Sequence, residues 1–280
     1  MIPAPFDYEV AESAEQAVTL LGTREDAKVL AGGHSLIPLL RLRFTRPSLL
    51  VDIGRIAELS YVRDAGEWLA IGALTRYKAL QDDPLIQEHC PIVSHTAGLI
   101  GDPQVRHRGT IGGSLAHCDP ASDFPAVILA LGAELVARGK AGERTIPATE
   151  FFTGVFETAL GPDEVLVEAR VPKLGASTGW AYLKANRRAQ DWATVGVAAL
   201  VHRDDGKVEG ASIGLVNMGG TPLRARAVED ALAGGASVAD AAAHVAEGTE
   251  PPADTAGSSE YRTHLAQVLV GRALEQAMGT

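Results

Sequence analysis

The sequence has little cysteine: only Cys90 and Cys118 occur among its 280 residues. Iron–sulfur clusters are usually held by four thiolates, so the chain alone cannot ligate one in that way. Hydrophobic runs are short, and none approaches the roughly 18 residues that a membrane-spanning helix needs. The N-terminus also lacks the basic and apolar pattern of a signal peptide. These absences favour a cytoplasmic protein without a membrane span, in which both thiols stay reduced.

The sequence also lacks the marks of a nucleic-acid-binding or metal-binding protein. Its formal net charge is −10, with 46% hydrophobic and 21% charged residues. The acidic balance argues against a nucleic-acid partner, and the length leaves room for two globular domains. His117-Cys118-Asp119 resembles part of a metal site, but no second spaced pair of ligands accompanies it. We therefore predict no metal site.

Glycine, in contrast, is concentrated in two segments, Ala31-Gly32-Gly33-His34-Ser35 and Thr110-Ile111-Gly112-Gly113-Ser114. Glycine reaches positive φ at no steric cost and has no Cβ, so consecutive N–H groups can converge on an anion. One such loop is a weak signal. Two of them suggest that a single diphosphate is held between separate loops, and the sequence therefore predicts a dinucleotide site.

Neither common nucleotide motif fits these segments. A Rossmann fingerprint needs G-x-G-x-x-G before a long helix and an acidic residue about 20 positions later. Asp52 lies at a suitable distance, but the glycines are adjacent, no third glycine follows, and Pro38 interrupts the helix start. A Walker A loop is excluded as well, because no G-K-[ST] tripeptide occurs.

The first half of the chain alternates strand and helix patterns. Strands are predicted at 6–10, 28–31, 49–53, 68–73, 133–137 and 165–171, and helices at 14–21, 36–43, 76–81, 84–100 and 123–131. Ser13 and Gln16 form a capping-box pattern, and Ser35 and Asp123 are predicted helix caps.

The order of predicted elements changes after a Pro- and Gly-containing linker at 172–179. Three successive strands are predicted at 180–184, 193–202 and 208–217, with Asp204-Asp205-Gly206 as a hairpin turn. Helices follow at 223–232, 238–246 and 260–278. Strands followed by helices indicate an α+β arrangement. We expect one domain at 1–175, made of lobes at about 1–55 and 56–175, and a second at 176–280.

Several segments together resemble one known family. They are Leu30–Pro38, Thr110–Ser114, Ala121–Ala126, Lys184–Trp192, Ala211–Asn217 and Glu260–Thr263. In this order, and over essentially the whole chain, they resemble the FAD-binding medium subunits of carbon monoxide dehydrogenase and other molybdenum hydroxylases, which are relatives of the flavin domain of xanthine dehydrogenase.

The resemblance implies a fold, a cofactor and partners. The expected fold is a two-lobed FAD-binding domain of the vanillyl-alcohol-oxidase/PCMH type, followed by a smaller domain with a three-stranded antiparallel sheet and a helical bundle. The expected cofactor is FAD. The expected partners are a large subunit that binds the molybdenum cofactor through molybdopterin and a small subunit with two [2Fe–2S] clusters. Electrons would pass from molybdenum through the clusters to the flavin and then to an external acceptor, so no catalytic residue is assigned here.

The resemblance also implies which residues contact FAD. The backbone of Ala31–Ser35 and the Ser35 hydroxyl would face one part of the diphosphate, and the backbone of Thr110–Ser114 the other part. Asp123 would accept hydrogen bonds from a ribose or ribityl hydroxyl, and Lys184 would stabilise negative charge near the flavin ring. The full predicted set is Ala31, Gly32, Gly33, His34, Ser35, Leu36, Ile100, Thr110, Ile111, Gly112, Gly113, Ser114, Asp123, Leu166, Lys184 and Trp192.

Two features depart from the family pattern, and two other functions stay open. Ser114 stands where Asn is frequent, and Trp192 stands where Tyr is usual. Trp192 could equally be ordinary packing, and Lys184 could extend to solvent. The alternatives are a stand-alone FAD-dependent oxidoreductase acting on a small organic substrate and a non-catalytic assembly protein that has lost FAD. The first needs a base near the flavin, for which His34 and His117 are the only candidates.

Overall fold

The chain begins with a small parallel sheet. The structure is a computed structural model that describes residues 2–204 and 207–279. Strand β3 lies between β1 and β2 in this sheet, and both neighbours run parallel to it. The elements of this first lobe are β1 (Asp7–Val10), α1 (Ala14–Leu21), β2 (Lys28–Leu30), α2 (Leu36–Leu42), β3 (Leu49–Asp52) and a short 3-10 helix at Ala57–Leu59.

Helix α1 joins the first lobe to the second. The predicted Ser13 cap is confirmed, because its hydroxyl accepts the Gln16 N–H. The predicted apolar face is buried, with Ala17 and Val18 packed between Val51 of the parallel sheet and Val167 of the next sheet. The two lobes therefore share one core.

The second lobe is built on an antiparallel sheet with the strand order β4-β5-β10-β6-β7. Its strands are β4 (Val62–Ala65), β5 (Trp68–Gly72), β6 (Glu134–Gly139), β7 (Gly142–Pro147) and β10 (Val165–Pro172), and a separate hairpin comprises β8 (Phe152–Gly154) and β9 (Glu157–Thr158). Its helices are α3 (Tyr77–Asp82), α4 (Pro84–His89), α5 (Pro91–Leu99), α6 (Pro103–Arg108), α7 (Ile111–His117), α8 (Asp123–Leu131) and α9 (Ala148–Phe151). Every residue of α8 is buried, which places this helix at the centre of the molecule.

The last part of the chain is an antiparallel sheet covered by helices. It comprises β11 (Thr178–Ala185), β12 (Val195–Asp204), β13 (Lys207–Val216), β14 (Leu223–Arg224), α10 (Arg226–Ala233), α11 (Val238–Ala242), a 3-10 helix at Ala243–Ala246 and α12 (Ser259–Gly279). The α+β fold class is confirmed, but in the described residues the sheet has four strands in the order β11-β12-β13-β14 rather than the expected three. Leu223 and Arg224 pair with β13, so the helix predicted from 223 starts at Arg226.

Other local predictions need correction. The helix predicted over 84–100 is interrupted at Cys90, because Pro91 has no N–H to continue the first helix and instead begins the second. Ser35 makes no side-chain capping bond. Asp123 is the first residue of α8 and the cap position belongs to Ser122. Of the predicted hairpin turn, Asp205 and Gly206 lie outside the described residues.

Both cysteines are free and buried. Burial raises the pKa of the Cys90 thiol to about 12 and that of Cys118 to about 11. A thiol with so high a pKa holds its proton at neutral pH and is a poor nucleophile or metal ligand. The two cysteines therefore contribute packing.

Candidate cofactor site

A cleft of about 1030 Å³ lies where the two lobes and the β11–β12 loop meet. Small-molecule and cofactor sites span about 300–1,000 Å³, so this cleft has the size for a large cofactor. Every predicted site residue except Ile111 lines it, and Ile111 is fully buried in the core. Residues predicted from distant parts of the sequence are thus brought to one place.

The first glycine segment presents free backbone donors to the cleft. The N–H groups of Gly32, Gly33, His34 and Ser35 donate no hydrogen bond to any residue that the structure describes. Gly33 has φ +80°, the left-handed conformation that glycine adopts without steric cost. Successive N–H groups around such a turn form a concave donor site for an anion. This segment fits a phosphate group.

Gly32 is needed for a different reason from the one its motif suggested. A Cβ at this position would lie 2.3 Å from the Arg108 carbonyl oxygen and 3.1 Å from the Gly109 Cα. Both neighbours are backbone atoms, so they cannot rotate away. The missing side chain lets the first lobe rest against the end of α6, and this contact fixes the position of the donor loop.

The second glycine segment is a helix rather than a loop. Thr110 caps α7 by accepting the Gly113 N–H at 3.1 Å. The N–H groups of Ile111, Gly112 and Ser114 donate to the carbonyls of Thr75, Ala73 and Thr110 in turn. The Ile111, Gly112, Gly113 and Ser114 donors that were expected to face a diphosphate are thus used within the chain, whereas the Thr110 N–H has no acceptor among the described residues.

Gly112 allows close packing at this helix start, and Gly113 lies opposite the first glycine segment. A Cβ on Gly112 would lie 2.5 Å from the Ala73 Cβ, so the helix can approach the residue that follows strand β5 only without a side chain there. A Cβ on Gly113 would lie 3.9 Å from the Ala31 Cβ. The two glycine segments therefore meet across the cleft. Among the described residues, the first offers four consecutive free N–H groups and the second offers that of Thr110.

Asp123 belongs to a buried polar cluster with Tyr182 and Lys184. Its Oδ2 accepts from the Lys184 ammonium at 3.0 Å, and its Oδ1 accepts from the Tyr182 hydroxyl. Both side chains of the ion pair are 4% exposed. Burial raises the pKa of Asp123, while the Lys184 charge and the hydrogen bonds act against that rise. Lys184 is thus paired rather than extended to solvent, and it also contacts the Leu99 carbonyl.

This cluster connects two parts of the fold at the floor of the cleft. Asp123 starts α8 of the second lobe, and Tyr182 and Lys184 lie on one face of β11. Two of the three residues of the cluster, Asp123 and Lys184, are in the predicted set. Tyr182 was missed, although its spacing of two from Lys184 on a strand places both on one face.

Aromatic side chains stand at the mouth of the cleft. Trp192 is 54% exposed and Phe156 is 53% exposed, and both line the cleft. Phe156 stacks near His117, with 5.0 Å between the ring centroids. Burial lowers the pKa of His117 against the opposing effect of Asp119, so the imidazole is neutral at pH 7. Phe156 was not predicted, because an isolated aromatic in a hairpin gives no sequence signal.

No metal centre accompanies the cleft in the described part of the chain, where His, Cys, Asp and Glu form no group of three or more suited to an ion. Among residues 2–204 and 207–279, no helix is both long and apolar enough to cross a bilayer.

The donor loop, the large cleft and the mixed α and β architecture define a nucleotide-cofactor protein of the non-Rossmann type, and comparison with known proteins identifies its family. Residues 4–174 match the family described as FAD binding domain in molybdopterin dehydrogenase. Residues 180–277 match the family described as CO dehydrogenase flavoprotein C-terminal domain. The chain belongs to this family of FAD-binding oxidoreductase subunits, the medium subunits of molybdenum hydroxylases.

Individual relatives agree over the full length. The chain is 43% identical to the carbon monoxide dehydrogenase medium chain of Hydrogenophaga pseudoflava, covering 99% of this chain and 98% of that one. It is 41% identical to subunit alpha of the 6-hydroxypseudooxynicotine dehydrogenase complex of Paenarthrobacter nicotinovorans, covering 99% and 96%. A solved carbon monoxide dehydrogenase structure from Hydrogenophaga pseudoflava contains a chain that superimposes with a TM-score of 0.96 at 45% identity, covering 100% of this chain and 99% of that one. The predicted family, fold class and cofactor are confirmed.

Proposed function

We propose that this chain is the electron-transfer subunit of a molybdenum hydroxylase complex and that it binds FAD in the cleft. It receives electrons from the [2Fe–2S] clusters of a small partner subunit and delivers them to an external acceptor. A molybdopterin-binding large subunit oxidises the substrate. The cysteine content supports the assignment of the clusters to another subunit, since the two cysteines of this chain are too few to supply four thiolates to a cluster. Two cysteines that form no disulfide also support a cytoplasmic location.

One observation supports the cofactor site above all others. Four consecutive backbone donors, from Gly32 to Ser35, have no acceptor among the described residues and line the cleft. Phosphate oxygens are acceptors only, and backbone N–H groups hold them without an intervening side chain. We assign the diphosphate of FAD to this loop, with the Thr110 hydroxyl as a donor from the opposite side.

The remaining predicted residues have distinct roles in this proposal. Bound FAD supplies the one- and two-electron redox chemistry. The Lys184 ammonium, held by Asp123, provides a fixed hydrogen-bond donor at the floor of the cleft. Leu166 and Ile100 give apolar walls that exclude water, and Trp192 covers the mouth.

We also place the boundary between the two domains at residue 175, in the connection from β10 to β11.

We assign no substrate to this chain. Relatives of similar length are named as parts of dehydrogenases for carbon monoxide, 6-hydroxypseudooxynicotine and glyceraldehyde. Such different substrates on similar medium subunits support a site of substrate choice on another chain. The subunit described here then supplies a common electron exit.

Purification from the native host tests this function. A tagged chain is expected to co-purify with a large subunit containing molybdenum and a small subunit containing iron, and its flavin absorption should bleach when the complex meets its substrate. A chain that purifies alone and whose flavin is reduced directly by an organic compound would instead be a stand-alone oxidoreductase. A colourless chain that takes up no FAD would be an assembly protein.

The role given to Thr110 has a matched control elsewhere in the chain. Thr110→Val and Ser13→Ala each remove a helix cap, so each is expected to lower the free energy of unfolding by about 1 kcal/mol. Only Thr110 lines the cleft. Thr110→Val should therefore weaken FAD binding in a fluorescence titration, whereas Ser13→Ala should leave the dissociation constant unchanged. Equal FAD affinity in both variants would remove Thr110 from the site.

A further inference from the structure

The connection between β11 and β12, residues 186–194, forms one wall of the cleft, and we name it the Trp192 loop. Gln190, Asp191 and Trp192 line the cleft. The base of the loop is closed by the Thr194 N–H, which donates to the Ala185 carbonyl at 2.8 Å. Within the loop, the Asn186 amide donates to the Arg188 carbonyl at 2.7 Å. These local bonds shape the loop but do not orient it toward the cleft.

Orientation comes from two buried side chains that converge on one carbonyl. Thr194 O accepts from the Arg262 guanidinium on α12 and from the Asn217 amide at 3.3 Å. Asn217 also donates to the Ala193 carbonyl at 2.9 Å. Asn217 has φ +61°, a left-handed conformation that Asn tolerates better than most residues. The end of the Trp192 loop is thus attached to two separate elements of the C-terminal region.

Packing alone does not account for an arginine at position 262. Its side chain is fully buried, and its Nε has no partner among the described residues. A buried charge is costly, and an apolar side chain of similar size often stabilises as well or better. The other guanidinium nitrogen meets the half-exposed Asp254 carboxylate at 2.6 Å. The Ala256 N–H, together with Arg262, lowers the pKa of Asp254, which keeps that partner ionised.

We propose that Arg262 is a positioning residue that acts through the Thr194 carbonyl to hold the Trp192 loop against the cleft. The contact with FAD rests on the proposed function, whereas the position of the loop does not. Arg262 itself does not line the cleft. Its effect on the cofactor is therefore indirect, through the wall that carries Trp192.

Limited trypsin digestion tests the position of the loop without any cofactor. The measured quantity is the rate of cleavage after Arg187 and Arg188, which are exposed within the loop. Arg262→Met is expected to speed cleavage there by about tenfold or more, the change in open population when one charge-assisted hydrogen bond is lost. Arg203→Met is the matched control. Like Arg262, Arg203 donates to a backbone carbonyl, but its acceptor is Met278 O on α12, 2.6 Å away, rather than a residue of the loop. Equal cleavage of both variants would overturn the proposal.

Two further variants keep the test decisive. Asn217→Ala removes the second attachment without uncovering a charge, and it is expected to speed the same cleavage even if Arg262→Met does not fold. Arg262→Lys keeps the charge and one donor, so it should restore slow cleavage in part. In an FAD titration, Arg262→Met should weaken binding and Arg203→Met should not. Failure of the wild-type chain to bind FAD would contradict the proposed function, while the trypsin result would still decide the role of Arg262. Unchanged cleavage in Asn217→Ala would contradict the proposal that attachments at residues 193 and 194 hold the Trp192 loop in place.

Discussion

Replacing Asp123 with alanine is expected to lower the free energy of unfolding by about 3–5 kcal/mol, the usual cost of breaking a buried ion pair from one side. The variant leaves the Lys184 ammonium in a site where its side chain is 4% exposed. Its other acceptor is the Leu99 carbonyl at 3.4 Å. The Tyr182 hydroxyl also loses its acceptor. Urea unfolding followed by circular dichroism measures the loss.

A double variant distinguishes the destabilisation caused by the unpaired Lys184 charge from that caused by lost packing. Adding Lys184→Met to Asp123→Ala removes the uncompensated ammonium, so the double variant should be more stable than Asp123→Ala, by about 2 kcal/mol. The surface pair Lys78–Asp82, at 2.6 Å, is the control, and Asp82→Ala should cost less than about 1 kcal/mol. A double variant no more stable than Asp123→Ala would show that the buried charge is not the cause.

Replacing Gly32 with alanine is expected to weaken FAD binding by about tenfold or more. The new Cβ would lie 2.3 Å from the Arg108 carbonyl oxygen, so the donor loop must move away from α6. A hydrogen bond to a charged group contributes about 1.5–3 kcal/mol, and the loss of one bond to phosphate accounts for this change in affinity. Titration of the cofactor-free variant with FAD, followed by flavin fluorescence, measures it.

Gly175→Ala is the control for this substitution. A Cβ on Gly175 meets no atom within 4 Å and its backbone is not left-handed, so the same chemical change should leave FAD affinity as in the wild type. If Gly32→Ala binds FAD as tightly as Gly175→Ala, the contact between the first lobe and α6 does not position the donors.

Much of the fold follows from local patterns that are visible in the sequence. Helix α1 was predicted because its cap at Ser13 and its buried face both lie within one short segment. The interruption of the predicted helix at Cys90 was missed, although Pro91 is a local sequence signal for it. Strands β4 and β7 were missed because their side chains are mostly exposed. Without a buried face, a strand has no alternation of apolar and polar residues to reveal it.

The site depended on partners that are distant in the chain. Adjacent glycines have low helix propensity, so Gly112 and Gly113 favoured a loop. They are helical because carbonyls of Ala73 and Thr75 accept the first N–H groups, and no local pattern shows that. The pairing of Asp123 with Lys184 spans 61 positions. Family resemblance predicted that both residues lie at the site, but only the structure shows that they bind each other.

If the N–H groups of Gly32–Ser35 bind the diphosphate of FAD, a titration of the cofactor-free chain must distinguish FAD from riboflavin. Riboflavin has the same ring system and ribityl chain but lacks the diphosphate and the adenosine. We expect saturable, equimolar FAD binding and riboflavin binding that is weaker by about a hundredfold or more, since at least two charge-assisted hydrogen bonds are lost. Equal affinity for the two compounds would contradict it.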